Sequence, residues 1–474
     1  MQPKTVMISA DHGLAIVYFL QSEVVNTMLA SGVQVVLLTD EALLDKIQER
    51  FGRPGLVVES LRLKAARTYF QNEHNSQQWW LDFFRRAGAS RRMNLETVDN
   101  YVNWVKTEAP PKRRVIFPLV RAAVAVMRRW KPARRALVRR QHQFTPNIYS
   151  DLFTRYQPDL VVASTAGWRL DRYVLREARA QDVRTAAIVL GWDNPSSHGL
   201  PGSMIDDISC WSELQKQELI LGSDWEAERI HIGGIPIYDG YFRKQWLMPR
   251  LEYFNLHGLD PNRKLLGYAC SFVTYSPNIQ NIEALARLVT QDALEQPCQL
   301  LVRLHPNHFS DVKRWAGERE QIRKLVAECP NIFLVEPVPL GGELGYYSGE
   351  DMHEKSSMMA HSDVFLTVYS TMVVEASIHA TPIVSVTIDS PTGWPGEYTL
   401  PLTRIGGWPT HSRFRQAGAG RVATSEAELR QAVNACLRNP AMDRQAQAAF
   451  VTQECTYTDG SAGRRTGQYL AGLA

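Results

Sequence analysis

The stretch from Asp363 to Val386 constrains the fold most, because strand and helix signals alternate within it. Val364 to Val368 is a short β-branched run, and Ser370 and Thr371 can begin a helix that Pro382 ends before a second apolar run. This alternation indicates a parallel sheet with helical crossovers. Hydroxyls on a helix N-terminus suit a phosphate, although the same residues also suit an ordinary helix cap.

A second polar strand end lies upstream. Leu300 to Leu304 predicts a strand that Pro306 ends, which leaves His305 at the rim. Ligands of open parallel sheets bind beyond the carboxyl ends of the strands. Taken alone, such a histidine is usually structural, but two polar strand ends in one βα array favour a shared site. Ser271, at the end of the strand that begins at Lys264, is assigned to the same predicted site.

Length and composition indicate a globular chain of two domains. The 474 residues exceed what one hydrophobic core normally supports. The six cysteines are scattered, without a CxxC motif or a Cys/His cluster, so we expect reduced thiols in the cytoplasm and no metal site. The chain leads directly into a strand-like run and has no apolar run of about 18 residues, so we expect neither a signal peptide nor a transmembrane helix.

Positive charge is concentrated in one region. Residues 109–150 hold eleven Lys or Arg and no Asp or Glu, whereas the whole chain has a net charge of +4. Apolar runs flank these cations, as in an amphipathic segment on an anionic bilayer. We therefore expect residues 112–140 to contact the inner face of a membrane, with a solvated helical face as the alternative. Nucleic acid is not an expected partner, since stacking aromatics are not interleaved with the arginines.

The N-terminal half begins with a βαβ pattern. A strand from Thr5 to Ala10 leads into Asp11, His12 and Gly13, and a helical pattern follows from Ala15 to Ser31. The loop lacks GxGxxG, so a nicotinamide or flavin site is not indicated. Asp11 and His12 could form an acid/base pair or simply make a tight turn, and Gly13 permits close approach of a ligand to the backbone.

The loop from Gly191 to Gly199 follows another predicted strand and is dense in hydrogen-bonding groups. We interpret it as the second wall of the site, although it could be only a turn rich in Pro and Ser. Its candidate residues are Trp192, Asp193, Asn194, Ser196 and His198.

These patterns predict three segments along the chain. Residues 1–245 form an N-terminal Rossmann-like domain with a basic helical insertion at about 41–150. Residues 260–445 form a C-terminal Rossmann-like domain. Residues 446–474 form a helical segment that could cross back to the N-terminal domain.

Three motifs carry a family resemblance: Trp192-Asp193-Asn194, Arg303-Leu304-His305-Pro306, and Tyr369-Ser370-Thr371 with Glu375-Ala376. They resemble the CDP-glycerol glycerophosphotransferase and capsule polysaccharide transferase branch of the GT-B glycosyltransferases. The closing Thr458 to Ala462 is also similar to that branch, and the resemblance covers most of residues 155–465. It implies an α/β GT-B fold, with two Rossmann-like parallel-sheet domains facing a central cleft.

The resemblance also implies roles for the C-terminal motifs. His305, Tyr369, Ser370 and Thr371 would hold the donor's phosphates without a metal, and Glu375 would contact the donor's ribose or sugar hydroxyls. No cofactor is implied beyond the nucleotide-sugar donor as co-substrate.

The N-terminal motif departs from the family. The polyol-phosphate transferases carry Trp-His-Gly where this chain has Trp-Asp-Asn, so Asp193 occupies the position of their catalytic histidine. This departure favours a sugar donor over a polyol phosphate, and the carboxylate can serve as the base. Asp193, His12 and Asp11 are therefore the expected catalytic residues, and Gly13 joins the loop residues as a candidate for acceptor binding.

We therefore expect a glycosyltransferase that acts on a lipid-linked or polysaccharide acceptor in cell-surface glycan synthesis. A polyol-phosphate transferase and a UDP-GlcNAc 2-epimerase are alternatives within the fold. The epimerase would want further acidic residues beside the sugar and no membrane segment. A nucleotide-sugar-binding scaffold without activity is the alternative outside enzymes.

Overall fold

The computed structural model describes residues 3–271, 274–342 and 347–474. The chain forms two units. The N-terminal unit comprises Met1–Asp239, Leu340–Gly345 and Cys455–Ala474, and the C-terminal unit comprises Gly240–Pro339 and Tyr346–Glu454.

The N-terminal unit is built on a parallel sheet with the order β3-β2-β1-β4-β5-β6-β7. Its strands are β1 Thr5–Ser9, β2 Gln34–Thr39, β3 Leu56–Ser60, β4 Leu160–Ala163, β5 Arg184–Ile188, β6 Asp207–Cys210 and β7 Ile230–Ile232. Side chains alternate between two apolar layers, with Val6 and Ile8 on one face and Met7 on the other. The strand order reverses between β1 and β4, which is where ligands of such sheets bind.

The C-terminal unit repeats this plan in a second parallel sheet, with the order β10-β9-β8-β11-β12-β13. Its strands are β8 Lys264–Ala269, β9 Cys298–Arg303, β10 Ile332–Val335, β11 Val364–Thr367, β12 Ile383–Val386 and β13 Arg421–Ala423. The order reverses between β8 and β11. Both sheets confirm the predicted Rossmann-like class.

Helices connect the strands and cover the sheets. Those up to the end of the N-terminal sheet are α1 Gly13–Ile16, α2 Glu23–Ala30, α3 Leu44–Phe51, α4 Leu63–Asn72, α5 Asn75–Ala87, α6 Leu95–Glu108, α7 Pro111–Arg114, α8 Phe117–Arg129, α9 Lys131–Arg140, α10 Ser150–Tyr156, α11 Arg172–Ala180, α12 Asn194–Ser197 and α13 Glu213–Ser223. The later ones are α14 Asp239–Phe242, α15 Arg250–His257, α16 Ile279–Thr290, α17 Lys313–Glu328, α18 Met352–His361, α19 Met372–Ile378, α20 Leu402–Ile405, α21 Pro409–Ala417, α22 Glu426–Arg438, α23 Arg444–Cys455 and α24 Ala462–Leu473.

The last helix, α24, packs against α2 of the N-terminal unit. Asp239 accepts hydrogen bonds from the N–H groups of Ala462 and Gly463 at 3.0 and 2.8 Å, which caps the helix. A Cβ on Gly467 would lie 2.6 Å from the carbonyl oxygen of Val24, so the two helices approach too closely for a larger residue.

Two local predictions are wrong. The helix predicted for Ala15 to Ser31 is interrupted, because the backbone forms a π-helix over Val17–Gln21 and restarts at Glu23, where Ser22 accepts the Val24 N–H at 3.2 Å. The region at about 41–150 is not wholly helical, since it contains β3 at the sheet edge. Leu56 is buried but the rest of β3 is half-buried, so its apolar pattern is weak.

The helical insertion has its own small core. Phe83, Tyr101, Phe117, Val120 and Val124 are buried together, and Trp79, Trp80 and Phe84 pack around them. The aromatic residues at positions 79, 80, 83 and 84 therefore belong to this core.

Across the described ranges, no individual helix combines the length and apolar composition needed to cross a bilayer. The consecutive segments Gly13–Gln21 and Glu23–Ala30 meet that criterion only as a pair bent by 47°.

Candidate functional site

The carboxyl ends of β1 and β4 in the N-terminal unit are joined by a buried polar network. Asp11 is 1% exposed, accepts a hydrogen bond from the Ser164 hydroxyl at 2.9 Å and lies 3.3 Å from Nε of Arg169. Burial opposes ionisation of Asp11, but the Arg169 guanidinium and His12 outweigh it and lower its pKa. The Asp11 carboxylate is therefore charged and engaged by this strand-end loop.

His12 lies beside this carboxylate as a neutral imidazole. Its Nδ1 is 3.2 Å from Oδ1 of Asp11, although the two groups are not aligned as a hydrogen bond. Burial lowers the pKa of His12 despite the Asp11 carboxylate, and Arg169 lowers it further. The predicted pair is thus in contact, with the neutral His12 imidazole beside the Asp11 carboxylate.

Asp171 organises the loop after β4. One carboxylate oxygen accepts from both the N–H and the hydroxyl of Thr165, at 2.8 and 2.6 Å. Burial and the nearby Asp11 charge raise the pKa of Asp171 to about 7. This loop holds Arg169, whose side chain is 49% exposed, at the strand end.

The loop after β5 contains a chain of three hydrogen-bonding side chains. The Ser197 hydroxyl donates to Oδ2 of Asp193 at 3.0 Å and lies 2.9 Å from Nδ1 of His198. Because the hydroxyl proton points to the carboxylate, Ser197 accepts a hydrogen bond from Nδ1 of His198, which leaves the Nε2 lone pair as the basic position. Burial and Arg86 hold the pKa of His198 well below its usual value, while burial raises that of Asp193.

The other predicted acceptor residues mainly shape the N-terminal unit. Trp192 is 2% exposed and packs inside it. Asn194 accepts the Gly191 N–H at 2.7 Å, and Ser196, which is buried, donates to the Asp193 carbonyl at 3.1 Å. Gly13 is buried in the first turn of α1. Of the loop candidates, Asp193, Asn194 and His198 are half-buried, whereas Trp192 and Ser196 are buried.

In the C-terminal unit, a network fixes His305 at the end of β9. The His305 N–H donates to Nδ1 of His308 at 3.1 Å, so Nε2 of His308 carries the proton and donates to Glu318 at 3.2 Å. Glu318 also accepts the N–H groups of Asn278 and Ile279 at 2.8 and 3.0 Å, which caps α16. The first turn of α16 is therefore already satisfied by a carboxylate.

His305 itself is neutral with a defined tautomer. Its Nδ1 accepts the Asn307 N–H at 3.1 Å, which places the ring proton on Nε2. Burial, His308 and Arg303 lower its pKa to about 3. A cavity of about 10 Å³, lined by His305, Ser271 and five neighbours, can hold one water molecule but no nucleotide.

The turn after β11 presents two hydroxyls. Tyr369 has φ of +36°, a left-handed conformation that is strained for an aromatic residue, and its ring packs on His411 with centroids 4.7 Å apart. Ser370 and Thr371 are half-buried, and Ser370 accepts the Met372 N–H at 3.3 Å. Tyr369 therefore serves as packing for the turn, whereas Ser370 and Thr371 are reachable.

Glu375 lies in a buried ion pair. Its Oε2 is 2.6 Å from Nζ of Lys355 and accepts the Tyr241 hydroxyl at 2.7 Å, and the residue is 4% exposed. Burial opposes the charge on Lys355, but the Glu375 carboxylate outweighs it and raises the pKa of this lysine. The predicted donor-hydroxyl contact would have to share this carboxylate with Lys355.

Arg303, the first residue of the His-Pro motif, is also internal. It is 4% exposed and forms salt bridges with Asp351 and Glu354. This triad links the end of β9 to α18 and so fixes the strand end that His305 follows.

The structure thus brings His305, Ser271 and Ser370 to three neighbouring strand ends, since β9 and β11 flank β8. The outer two strands are about 10 Å apart. Five residues of these networks were not predicted as site residues from the sequence: Ser164, Arg169, Ser197, Glu318 and Lys355. Of these, only Ser197 was visible as part of a polar loop. Within the described ranges, no three His, Cys, Asp or Glu side chains are grouped as metal ligands.

Comparison with known proteins gives matches at the level of structure. No protein-family model matches the chain, and no curated protein sequence matches it. A Listeria monocytogenes protein assigned as a UDP-N-acetylglucosamine 2-epimerase has a TM-score of 0.53 at 13% identity, over 98% of this chain and 94% of that one. The Neisseria meningitidis UDP-GlcNAc 2-epimerase, solved with UDP-GlcNAc bound, has a TM-score of 0.52 at 11% identity, over 97% of each chain. A glycosyltransferase from Rickettsia africae has a TM-score of 0.51 at 10% identity, over 99% of this chain and 98% of that one.

These likenesses identify the class of fold. The two Rossmann-like sheets and the near-complete coverage define GT-B, as the sequence predicted. At such low identity they show the fold alone, and both sugar transferases and nucleotide-sugar epimerases share it. The CDP-glycerol branch suggested by the motifs stays a prediction.

Proposed function

We propose that the protein transfers a sugar from a nucleotide-activated donor to an acceptor hydroxyl. Its C-terminal unit would bind the donor and its N-terminal unit the acceptor. Solved proteins with this fold are named as sugar transferases and as UDP-GlcNAc 2-epimerases. The observation that carries the proposal is His305, a neutral imidazole with its proton on Nε2, at the same edge of the sheet as the half-buried hydroxyls of Ser370 and Thr371.

These groups suit the leaving diphosphate. An imidazole N–H and two hydroxyls are hydrogen-bond donors, which stabilise the charge that develops on the phosphate oxygens as the glycosidic bond breaks. The Asn307 N–H orients the imidazole, and the His308 and Glu318 network holds the His305 backbone, so little reorganisation accompanies the reaction. No role for a metal is needed in this scheme.

The Asp193, Ser197 and His198 chain supplies the base. The acceptor oxygen attacks the anomeric carbon while its proton moves to Nε2 of His198, and the donor leaves with the bonding electrons on its phosphate. The imidazolium that forms is stabilised through Ser197 by the Asp193 carboxylate. Asp193 is then a positioning residue, and His198 takes the catalytic role that the sequence analysis gave to Asp193.

Nucleotide binding tests the proposal. Calorimetric titration with nucleoside diphosphates and nucleotide sugars should show binding that His305→Ala weakens at least tenfold. His353→Ala, at an exposed histidine of α18, is the matched control and should bind as the wild type. If the wild-type protein binds none of these ligands at millimolar concentration, the proposed function is wrong.

The second candidate is a UDP-GlcNAc 2-epimerase, favoured by the fold of the Listeria and Neisseria proteins. Epimerisation needs no acceptor, so NMR of UDP-GlcNAc incubated with the protein alone distinguishes an epimerase from a transferase. Appearance of the 2-epimer would establish this candidate. Donor hydrolysis that depends on His305 would instead support a transferase and exclude an inactive scaffold. A polyol-phosphate transferase would require turnover of CDP-glycerol.

We also propose that the acceptor is lipid-linked or polysaccharide and that the protein works at the cytoplasmic face of a membrane. Leu119 and Val126 form an exposed stripe on one face of α8, at 75% and 58% exposure, and Val115 and Trp130, just outside its two ends, are 78% and 58% exposed. Exposed cations flank it, in a region without acidic residues. Such an apolar surface with basic flanks suits an anionic bilayer.

Two cations of this region serve the fold instead. Arg134 is 5% exposed and makes two hydrogen bonds with Asp224, at 2.6 and 2.9 Å. Arg128 donates to Asp99 and to the Ala87 carbonyl at 2.8 and 2.9 Å. The membrane test therefore targets the stripe. Leu119→Gln with Val126→Gln should reduce sedimentation with anionic liposomes, whereas Leu256→Gln, at an exposed leucine of α15, should not.

A further inference from the structure

A pocket of about 320 Å³ lies in the N-terminal unit, away from the strand ends described above. It is lined by residues of α9 and by the segments that precede β6 and β7, including Asp206 and Arg229. These segments enter the amino ends of the strands. The pocket is therefore at the opposite edge of the sheet from Asp11 and Asp193, and the proposed transfer reaction makes no use of it.

Guanidinium groups dominate the polar lining. Five arginines and three carboxylates line the pocket: Arg134, Arg135, Arg139, Arg179 and Arg229, with Asp206, Asp224 and Glu226. Arg134 and Asp224 neutralise each other, as described above. The remaining four arginines face two carboxylates, which leaves the lining itself with an excess of two positive charges. Arg229 is also 3.9 Å from Asp207, a carboxylate outside the lining.

The accessible arginines are weakly held. Arg135 is 3.0 Å from Glu226 and Arg179 is 3.3 Å from Asp206, in pairs that are at least a quarter exposed on each side. Exposed pairs of this kind contribute little to stability, so an incoming anion can replace them. Arg139 is exposed, and no carboxylate within the described part of the chain pairs with it.

The wall of the pocket is fixed before any ligand arrives. Besides its bonds to Asp224, Arg134 donates to the carbonyls of Met127 and Arg128 at 2.9 Å each, which locks α9 against α8. Val138, Leu200 and Trp225 supply an apolar side to the pocket. Arginines on several elements beside an apolar wall match a phosphate that carries an apolar or ring-shaped substituent.

We propose that this pocket binds the phosphate of an anionic ligand, through Arg135, Arg139, Arg179 and Arg229. The phosphate could belong to a soluble phosphorylated compound or to a phospholipid headgroup, since α9 directly follows the exposed stripe of α8. The ligand would occupy this pocket independently of the donor.

The test compares neighbouring arginines of one helix. Arg139→Gln removes a pocket guanidinium that has no structural partner, whereas Arg140→Gln removes the same charge from an exposed position outside the pocket. Calorimetric titration with inorganic pyrophosphate should show about tenfold weaker binding at the pocket site for Arg139→Gln than for Arg140→Gln. Arg179→Gln should act in the same direction. Because both variants keep His305, phosphate binding at the proposed donor site cancels in the comparison.

Vesicles distinguish the two sources of the phosphate. The same variants are sedimented with phosphatidylcholine vesicles with and without phosphatidic acid. Weaker pyrophosphate binding by Arg139→Gln indicates a site for soluble phosphates. A loss that is confined to phosphatidic acid vesicles indicates a headgroup site. Equal behaviour of Arg139→Gln and Arg140→Gln in both assays overturns the proposal.

Discussion

Variants of the Lys355 and Glu375 ion pair test whether Glu375 stabilises the fold, contacts the sugar donor, or does both. At a separation of 2.6 Å, the attraction is on the order of 6 kcal/mol for an effective dielectric constant of about 20. Desolvation of both charges offsets much of this energy. Removal of one partner is costly because it leaves the other buried and uncompensated. We therefore expect Lys355→Met or Glu375→Gln to lower the free energy of unfolding by about 3 to 5 kcal/mol.

Urea denaturation measures this loss. With a dependence of about 3 kcal/mol per molar urea, the midpoint should fall by about 1 to 1.7 M. The double variant should be about 2 kcal/mol more stable than either single variant, since no isolated charge remains. Lys324→Met, in an exposed pair with Glu328, should change stability by less than about 0.5 kcal/mol. Single variants as stable as this control would refute the reasoning.

The same variants separate packing from donor binding. If Glu375 contacts the donor, the double variant regains stability but still binds the nucleotide sugar at least tenfold more weakly than the wild type. Wild-type affinity in the double variant would show that Glu375 only supports the unit.

Three further outcomes follow from the site. Glu318→Gln places an amide against the N–H of His308 and should lower the free energy of unfolding, measured by urea denaturation, by about 2 to 3 kcal/mol. Glu320→Gln, at an exposed position, should lower it by less than about 0.5 kcal/mol. Ser197→Ala should lower kcat about tenfold to a hundredfold with an unchanged donor KM, and a weakened donor KM would contradict its placement. His411, 8% exposed, has a pKa lowered by burial to about 3. The unfolded chain therefore binds its proton first, and stability falls from about pH 6.5 toward pH 3. His411→Phe should remove about 1.4 kcal/mol per pH unit of this slope between pH 6 and 4.

The strand ends could be predicted because they depend on local sequence. Runs such as Val364 to Val368 combine β-branched residues with a breaker, and His305 follows such a run directly. In a parallel sheet, chain order and right-handed crossovers then bring these ends to one edge. This is why the fold and the positions of His305 and Ser370 followed from short patterns.

The supporting partners could not be predicted in this way. Glu318 and Lys355 lie on helices whose surface patterns look like any charged helix, and only the packing turns them inward. Trp192 shows the converse, because a tryptophan in a polar loop was predicted to contact the acceptor, whereas its large apolar side chain is 2% exposed and packs inside the unit. Burial of a single residue depends on contacts distant in sequence.

Helix α8 in the basic region carries apolar side chains on two opposite faces, and the packing of the insertion accounts for only one of them. Phe117, Val120 and Val124 face the insertion core, while Leu119 and Val126 lie on the opposite face in solvent. A helix that is apolar on both faces belongs in a protein interior or against another surface. The first face is satisfied by the aromatic core, so the insertion alone does not account for the second. The cations around that face have no acidic neighbours in sequence, so a surface of negative charge would satisfy both features, and this is the basis of the proposed membrane contact.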